Sequence, residues 1–568
     1  MMTKNSRDKD SNQISVVIRT IAQGMYSPHS YSVRKGRSLS GLLKSEGISM
    51  SMPCGGRGWC GGCRVRFVTG APKPSAADMA VLSQEDIDRG VRLACKALLW
   101  DDCEIVIEHG EDIYSPDDMP DGDTVNIGAD GRSVQCSEAP IRAADNKEHD
   151  DDMWAAHKSP LGLAIDIGTT TIALAIADLH SGRKLTVHTA ANSQRIYGSD
   201  VISRIDAARE HAVELSCLVK EDIRGLLTRA IAGSGIDPAD IRMGVVAGNT
   251  TMLHLLRGYD VSGLGRYPYK AVSLEREELT LRQLIGGDLL ADIPVTILPG
   301  LGAFIGADIV AGLYMIDPGD SFLFLDLGTN GEMAAGNGDI IRTTSAAAGP
   351  VFEGGGISCG CPSVPGAICH IDDKGYTTIA GAEPVGICGS GVLELTAFLL
   401  QKGIIDETGL LSKEYFDTGY HVCKRAGGDS STPDIVFSQK DIRALQLGKA
   451  AISTGVRALA LELREKDGLS LKGARIYIAG GFGSGLDMTR LSPIGLIPAE
   501  IMASAGEVRS IGNSSLGGCL QYLLDYNRDK DAAAYRLERL ISRSSELELA
   551  AGHKFEELYY EAMTFGTD

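Results

Sequence analysis

The sequence has few aromatic residues, no long apolar run and a deficit of positive charge. Aromatic residues make up 5% of the 568 positions, and 55 Lys and Arg against 74 Asp and Glu give a net charge of −19. Because no uninterrupted apolar run reaches about 18 residues, no helical membrane span is indicated. The polar residues 1–13 lack the apolar core of a secretory signal. The acidic balance, without a basic cluster, argues against nucleic acid or an anionic membrane as a partner.

The cysteine content indicates a reducing compartment. The 13 cysteines are an odd number, and most are scattered outside one N-terminal cluster. This distribution suits reduced thiols and metal ligation in the cytosol better than a disulfide framework. We therefore expect a cytoplasmic protein, whose length predicts two or three domains.

The N-terminal cysteines form a C-x5-C-x2-C loop of Cys54, Cys60 and Cys63, followed at a distance by Cys95. Four thiolates can hold a [2Fe–2S] cluster, and the glycines between them allow unusual backbone angles and expose N–H groups to sulfur. Zinc is the main alternative, but zinc sites usually show two separate C-x2-C pairs. The spacing therefore favours a [2Fe–2S] cluster bound by these four cysteines.

Composition divides the chain into four segments. Residues 14–110 carry short strand patterns and one helix in the order of a β-grasp domain. Residues 111–159 form an acidic linker, because positions 111–152 contain 13 acidic and 3 basic residues. Residues 160–540 alternate short apolar strands with helical patterns, which predicts an α/β architecture. Residues 541–568 are a partly helical C-terminal tail.

A glycine turn joins two apolar strands at positions 166–171. Gly168 would let the backbone approach phosphate oxygens, and the N–H and hydroxyl groups of Thr169, Thr170 and Thr171 can donate to them. Asp166 can hold Mg²⁺ through waters, because this ion keeps much of its hydration shell.

The same turn pattern recurs at positions 326–331, again after an apolar strand. Gly328, Thr329 and Asn330 would form a second phosphate hairpin. Asp326 or Glu332 could orient a water toward the γ-phosphate. Two such hairpins half a domain apart predict two related lobes that face a shared cleft for ATP and Mg²⁺.

A third glycine cluster follows the strand pattern at positions 475–478. It contains Gly480, Gly481 and Gly483. The first two glycines would let adenine approach the backbone. The order phosphate, phosphate, adenosine is more specific than any of these turns alone.

Two resemblances extend these predictions. The cysteine loop resembles that of plant- and adrenodoxin-type ferredoxins, which implies an N-terminal β-grasp [2Fe–2S] ferredoxin domain. The three glycine motifs together resemble the superfamily of actin, sugar kinases and heat-shock chaperone ATPases. This resemblance implies a two-lobed actin-like ATPase domain, ribonuclease H-like in fold, over residues 160–540.

Four further blocks look like signatures of the reductive activators of corrinoid-dependent proteins: residues 191–205, 248–256, 298–308 and 441–452. That family pairs a ferredoxin domain with an ATPase of this superfamily. The resemblance implies an ATP-dependent transfer of an electron from the [2Fe–2S] cluster, which reduces cob(II)amide to cob(I)amide in a methyltransferase system. It also implies a corrinoid protein and an upstream electron donor as partners, and a homodimer formed through the ATPase domain.

One loop departs from the family pattern. Cys359, Cys361 and Pro362 stand where bulkier residues, one of them basic, are expected, which puts a partner contact of that basic residue in doubt. With Cys369 and Cys388 they could form a second metal site. They are also compatible with buried, inert thiols, which is the interpretation that we favour.

Other single residues have two interpretations. Glu353 lies either in the wall of the cleft, near phosphate or Mg²⁺, or in a solvated loop. Gln446 and Lys449 on a predicted core helix could reach ribose or phosphate, but as surface residues they need no role. His254 and His370 are predicted to be packed or solvated rather than ligands.

Competing functions remain at this stage. One is an ATP-dependent activator of another low-potential or radical enzyme, although such activators hold their cluster at a dimer interface. Another is a small-molecule kinase with a fused redox domain, which requires an acceptor-binding base in the cleft. A third is a chaperone-like binding module for a corrinoid protein, which would turn over ATP without delivering electrons.

Overall fold

The computed structural model describes twelve stretches of the chain. They are residues 13–22, 25–46, 48, 63–82, 84–107, 124–127, 133–134, 159–287, 290–423, 434–480, 491–549 and 555–566. The chain divides into two compact units, formed mainly by residues before and after position 112. Among the described helices, none is both long enough and apolar enough to cross a membrane.

The first unit is a small sheet packed against short helices. Its strands are β1 Gln13–Ala22, β2 Met25–Arg34, β3 Arg37–Ser38, β4 Arg64–Thr69, β5 Val91–Leu93, β6 Leu98–Leu99 and β7 Cys103–Ile107. Its helices are α1 Leu39–Ser45, α2 Ala76–Val81 and α3 Gln84–Asp88.

The five-stranded sheet of this unit has the order β2-β1-β7-β4-β5. Strand β1 pairs antiparallel with β2 and parallel with β7. Alternate residues of β1, among them Val16 and Ile18, are fully buried, and they pack with Leu39, Leu42 and other core residues of the unit. This mixed sheet, which carries a helix between its hairpin and β4, is the β-grasp arrangement of a ferredoxin domain.

The second unit contains the remaining elements. Its strands are β8 Thr124–Ile127, β9 Ser133–Val134, β10 Leu161–Ile167, β11 Thr171–Asp178, β12 Lys184–Ala191, β13 Ile241–Gly248, β14 Glu277–Thr280, β15 Pro294–Ile297, β16 Phe322–Leu327, β17 Gly331–Gly336, β18 Ile341–Ala346, β19 Ala367–Asp372, β20 Gly375–Thr378, β21 Gly386–Ile387, β22 Tyr420–Cys423, β23 Ile435–Phe437, β24 Arg475–Gly480, β25 Glu507–Gly512 and β26 Ser544–Glu546. Its helices are α4 Val201–Ser234, α5 Thr250–Arg257, α6 Leu281–Ile285, α7 Ala307–Ile316, α8 Gly389–Gln401, α9 Gln439–Lys466, α10 Ala499–Ala503, α11 Ser514–Arg528, α12 Lys530–Arg543 and α13 Phe555–Glu561.

The second unit is built on two sheets whose central strands have the same arrangement. One has the order β12-β11-β10-β13-β15-β14, and the other has the order β26-β18-β17-β16-β24-β25-β8-β9. In each, a tight antiparallel hairpin, β10/β11 or β16/β17, lies beside a parallel strand, β13 or β24. The repeated arrangement confirms the two related lobes of an actin-like ATPase, and β8 and β9 fall inside the segment predicted as an acidic linker.

Helices α7 and α11 lie between the two sheets. Both contact β13 of the first sheet. A side chain at Gly312 of α7 would meet Phe324 of β16 and Ser514 of α11, so glycine allows these elements to approach closely. The strands that they cover, such as β10 and β16, are almost continuously apolar, as expected for strands buried on both faces. The packing places the first residues of both helices beside the ends of β10 and β16.

Candidate functional site

The structure brings two of the four predicted cluster cysteines together. Strands β4 and β5 pair with Arg64 opposite Leu93, and the N–H of Ala94 donates to the carbonyl of Cys63 at 2.8 Å. Cys63 is therefore beside the residue that precedes Cys95, and it is buried while Cys95 is partly exposed. Cys54 and Cys60 lie outside the described residues.

Cys103 is not one of the four predicted ligands, and its surroundings are those of an ordinary thiol. Its side chain is buried in the core of the ferredoxin unit. Burial, with nearby Asp102 and Asp101, raises the pKa of the Cys103 thiol to about 11. A thiol that is protonated at neutral pH is a poor metal ligand.

The first glycine hairpin has the tight geometry that its sequence predicts. The N–H of Gly168 donates to the carbonyl of Thr171 at 3.0 Å, and a Cβ at position 168 would lie 2.6 Å from that same oxygen. Asn192 fixes the turn from the side, since its Nδ2 donates to the carbonyl of Gly168 at 2.9 Å. The sequence therefore needs glycine at position 168 for the turn itself.

Thr169 is held by two residues that received no role in the sequence analysis. Nη2 of Arg204 donates to its carbonyl at 2.5 Å, and Nδ2 of Asn249 donates to its hydroxyl at 3.2 Å. The Arg204 side chain is completely buried. Both residues, and Asn192, fall within the signature blocks 191–205 and 248–256, which were the available signal.

The second hairpin repeats this turn and meets the first. The N–H of Gly328 donates to the carbonyl of Asn330 at 3.0 Å. The hydroxyl oxygens of Thr170 and Thr329 lie 3.3 Å apart, and both hydroxyls donate to the same oxygen of Glu353, at 3.2 and 2.9 Å. Glu353 therefore lies in the wall of the cleft and not in a solvated loop.

Five carboxylates gather where the two hairpins meet: Asp166, Asp308, Asp326, Glu332 and Glu353. We call them the carboxylate cluster. Nδ2 of Asn513 and Oγ of Ser515 donate to Asp166 at 2.8 and 2.7 Å, and Oγ of Ser514 donates to Asp326 at 3.4 Å.

The carboxylate cluster is electrostatically crowded. Burial first, and then the charges of Asp326 and Asp166, raise the pKa of Asp308 to about 8. Burial and the charges of Asp166 and Glu353 raise the pKa of Asp326 to about 7.

The other three members are shifted in the same direction. Burial raises the pKa of Asp166, although hydrogen bonds from Ser515 and Asn513 oppose it. Burial also raises the pKa of Glu353 and, together with the charges of Asp308 and Asp326, that of Glu332. A concentration of negative charge of this kind fits a bound cation, which favours the ionised forms. No three acidic, His or Cys side chains in the described ranges are placed to ligate one metal ion directly.

The third glycine motif is described only at its start. Gly480 ends β24 with a φ of 125°, and a Cβ there would lie 2.4 Å from the carbonyl of Leu327 at the end of β16. Gly480 therefore lies directly beside the second hairpin. Gly481 and Gly483 lie outside the described residues.

Of the two interpretations given for Gln446 and Lys449, the one that places them on the surface was wrong. Both are about 2% exposed. Nε2 of Gln446 donates to the carbonyl of Met563 at 2.5 Å, and Nζ of Lys449 donates to the carbonyl of Ala562 at 2.7 Å and to that of Thr564. The C-terminal segment covers them, a contact between residues more than a hundred positions apart that no local pattern reveals.

The four cysteines of the departing loop lie on neighbouring strands. Gly360 and Ile368 both pair in parallel with Ile387, so Cys361, Cys388 and Cys369 are adjacent. The pKa values of the Cys359 and Cys361 thiols are raised to about 12, and burial is the largest cause for both. These surroundings favour protonated, inert thiols.

Comparison with known proteins gives three family models that match consecutive parts of the chain. The 2Fe-2S iron-sulfur cluster binding domain matches residues 26–99. The RACo middle region matches residues 161–318, and the C-terminal domain of RACo, the ASKHA domain, matches residues 320–568.

Individual relatives carry the same combination. The chain is 34% identical over 436 residues to the corrinoid activation enzyme RamQ of Eubacterium limosum. This alignment covers 71% of this chain and 70% of RamQ. It is 26% identical over 446 residues to the Co(II) methylated amine-specific corrinoid protein reductase of Methanosarcina barkeri, covering 72% and 77% of the two chains.

A solved structure, that of a reductive activator for corrinoid, iron-sulfur protein, aligns over 98% of this chain and 99% of its own length, with 27% identity and a TM-score of 0.62. The alignment spans the ferredoxin unit and both lobes of the ATPase unit. This chain belongs to the family of reductive activators of corrinoid proteins.

Proposed function

We propose that this chain uses ATP to drive the reduction of a corrinoid protein from the Co(II) to the Co(I) state. One observation carries the proposal: a single chain holds a ferredoxin unit, in which Cys63 and Cys95 are brought together, and a cleft in which Thr170, Thr329 and Glu353 join two glycine hairpins. Co(I) is a strong reductant, so an electron from a ferredoxin-type donor must be driven to it. A nucleotide that favours one of two states of the cleft can provide this drive.

Within the cleft, the two hairpins hold the phosphates of ATP. The N–H and hydroxyl groups of Thr169, Thr170 and Thr171, made accessible by Gly168, donate to one set of phosphate oxygens. Gly328, Thr329 and Asn330 do the same from the other lobe. We assign the binding of adenosine to the glycine motif of Gly480, Gly481 and Gly483, of which Gly480 lies beside the second hairpin. Backbone turns with clustered N–H groups are well suited to anions.

The carboxylate cluster fits Mg²⁺, which neutralises phosphate charge when bound. Asp166 would hold the ion, and its own position is fixed by hydrogen bonds from Asn513 and Ser515. Asp326 or Glu332 orients the attacking water, because both lie at the second hairpin and have a raised pKa. ATP hydrolysis is in this view coupled to electron transfer.

In the ferredoxin unit, Cys54, Cys60, Cys63 and Cys95 would hold a [2Fe–2S] cluster, which would supply a one-electron carrier. The partners that we propose for this unit are an upstream electron donor and the corrinoid protein. We further propose a cytoplasmic location and a homodimer formed through the ATPase domain. The first rests on the chain's thiol content, and the second on its resemblance to a dimerising superfamily.

The proposal is tested by an activation assay under anaerobic conditions. The protein is chemically reduced and mixed with Mg²⁺, ATP and one Co(II) corrinoid protein at a time, taken from systems that demethylate methylated amines, phenyl methyl ethers or betaine. Appearance of the Co(I) absorption band with ATP, and not with a non-hydrolysable analogue, is the expected result. Reduction that proceeds equally without nucleotide, or no reduction of any of these proteins, would contradict the proposal.

A further inference from the structure

Two neighbouring loops of the ATPase unit expose an aromatic surface. Tyr267 is 80% exposed, Val272 58%, Tyr269 40% and Phe304 37%. We call these four residues the aromatic patch. The ring of Tyr269 lies edge-on to the rings of Tyr267 and Phe304, with centroids 6.1 and 5.0 Å apart. In a chain with only 5% aromatic residues, a contiguous exposed cluster of this kind indicates an interaction site.

The loop that carries the two tyrosines is held in a defined shape. The N–H of Lys270 donates to the carbonyl of Gly263 at 3.0 Å, which closes the loop at its base. The N–H of Val272 donates to Nε2 of buried His254 at 3.0 Å, and Nδ1 of that ring lies 2.7 Å from the carbonyl of Thr250. Because the rings are pre-positioned, binding a partner would cost little ordering entropy.

The aromatic patch is connected to the first phosphate hairpin through α5. Asn249, which caps this helix, donates to the hydroxyl of Thr169. The next residue, Thr250, donates to the carbonyl of Gly302 at 2.7 Å, two positions before Phe304. A change at the first hairpin can therefore reach the aromatic patch through a short series of hydrogen bonds and helix α5.

Charge identifies the kind of partner. The exposed side chains of Arg266 and Lys270 flank the tyrosines, and no acidic residue lies between Asp260 and Glu275. In a chain of net charge −19, the tyrosine loop thus carries two cations beside its exposed rings, while the carboxylate of Glu546 lies against Gly302 of the neighbouring loop. A second copy bound about a two-fold axis would place these cations against themselves, which disfavours self-association through this face. The surface fits a partner with an acidic rim and an apolar centre.

We propose that the aromatic patch, with Arg266 and Lys270, is the docking surface for the corrinoid protein, and that the nucleotide bound at Thr169 sets its affinity through α5. This inference rests on the proposed function, since it names the surface at which that partner binds.

The test measures binding of the Co(II) corrinoid protein that the wild-type chain reduces in the activation assay, with a non-hydrolysable ATP analogue or ADP present. We expect Tyr267→Ser and Phe304→Ser each to weaken binding by about tenfold, as loss of an aromatic anchor does. Arg266→Glu should slow association and reduce its dependence on salt. In the wild type, the affinity should differ at least about fivefold between the two nucleotides.

Tyr535→Ser on α12 is the matched control, because Tyr535 is 68% exposed and lies outside the patch. It should bind like the wild type. The absorption spectrum of the iron–sulfur centre and the melting temperature of each variant exclude misfolding as the cause of weak binding.

Three outcomes overturn the inference. Patch variants that bind and reduce the partner like the wild type would remove this surface from docking while the proposed function stands. Patch variants that change only the sedimentation behaviour of the chain would assign the surface to a second copy. A wild type that reduces no corrinoid protein would end the proposed function, and this inference with it.

Discussion

The hydroxyl oxygens of Thr170 and Thr329 lie 3.3 Å apart, although 159 residues separate them in the sequence. Each belongs to one of the two glycine hairpins, and a single oxygen of Glu353 accepts a hydrogen bond from both. The two lobes are thus joined at the position where both hairpins are proposed to hold phosphate. A nucleotide that competes for these hydroxyls would change the contact between the lobes.

We predict that Thr170→Ala and Thr329→Ala each weaken ATP binding by about five- to tenfold, because each removes a donor to a charged acceptor. Since both hydroxyls share Glu353, the losses in the double variant should depart from additivity by at least 0.5 kcal/mol or so. Isothermal titration calorimetry measures the affinity for ATP of the wild type, the two single variants and the double variant, which together form a double-mutant cycle.

Thr228→Ala is the control for this cycle, because Thr228 is exposed on α4 and its hydroxyl donates only to the carbonyl of Arg224 among the hydrogen bonds of the described residues. Its affinity for ATP should equal that of the wild type. Losses that add within about 0.3 kcal/mol would show that the two hairpins bind independently.

A second prediction concerns the ferredoxin unit. Cys63→Ser and Cys95→Ser should abolish the visible absorption of the [2Fe–2S] cluster, because serine replaces a thiolate ligand, while ATP hydrolysis continues. Cys60→Ser should behave in the same way. Cys217→Ser, which alters an exposed thiol on α4, should retain the spectrum. A normal spectrum in Cys63→Ser or Cys95→Ser would remove that residue from the ligand set.

Local sequence patterns predicted the elements on which the site is built. The hairpins at Gly168 and Gly328 were predictable because an apolar run, a glycine turn and a second apolar run specify two buried antiparallel strands. The two related lobes follow from the same kind of signal.

Residues that complete the site from distant elements were harder to assign. Asp308 lies in the first turn of α7, and its role depends on the packing of that helix between the two sheets. Glu353 faces Thr170 across 183 residues. Arg204 is buried and donates to a backbone carbonyl, so its function is visible only when the first hairpin is in place. Composition could not reveal these contacts, because each depends on tertiary packing.

The crowding in the carboxylate cluster predicts how stability depends on pH. In the folded protein the pKa is about 8 for Asp308 and about 7 for Asp326, against about 4 when unfolded. Folding raises both pKa values. The contribution of these two carboxyl groups to the free energy of unfolding is therefore complete below about pH 4 and is lost as the pH rises through 7 and 8. The nucleotide-free protein should therefore melt at a lower temperature at pH 8.5 than at pH 6.

Mg²⁺ with ADP should reverse this loss, since a cation favours the ionised carboxylates. We expect the melting temperature gained from Mg²⁺ and ADP to increase between pH 6 and pH 8.5, and the affinity to rise about tenfold per pH unit for one released proton. Asp308→Asn should flatten the pH dependence of the nucleotide-free protein. The same slope in Asp308→Asn and in the wild type would show that this carboxyl does not titrate there.

The last prediction concerns the C-terminal segment that covers Lys449. The ammonium group donates to the carbonyls of Ala562 and Thr564 and lies 5.6 Å from the centre of the Phe565 ring. Lys449→Met would remove both charge-assisted bonds and should cost about 2–3 kcal/mol. Chymotrypsin should then cleave faster at exposed Tyr560, and mass spectrometry would detect the shortened chain.

Lys472→Met, at an exposed lysine, is the control and should be cleaved at the wild-type rate. Equal cleavage of Lys449→Met and the wild type would show that other contacts, such as that of Gln446 with Met563, hold the segment in place.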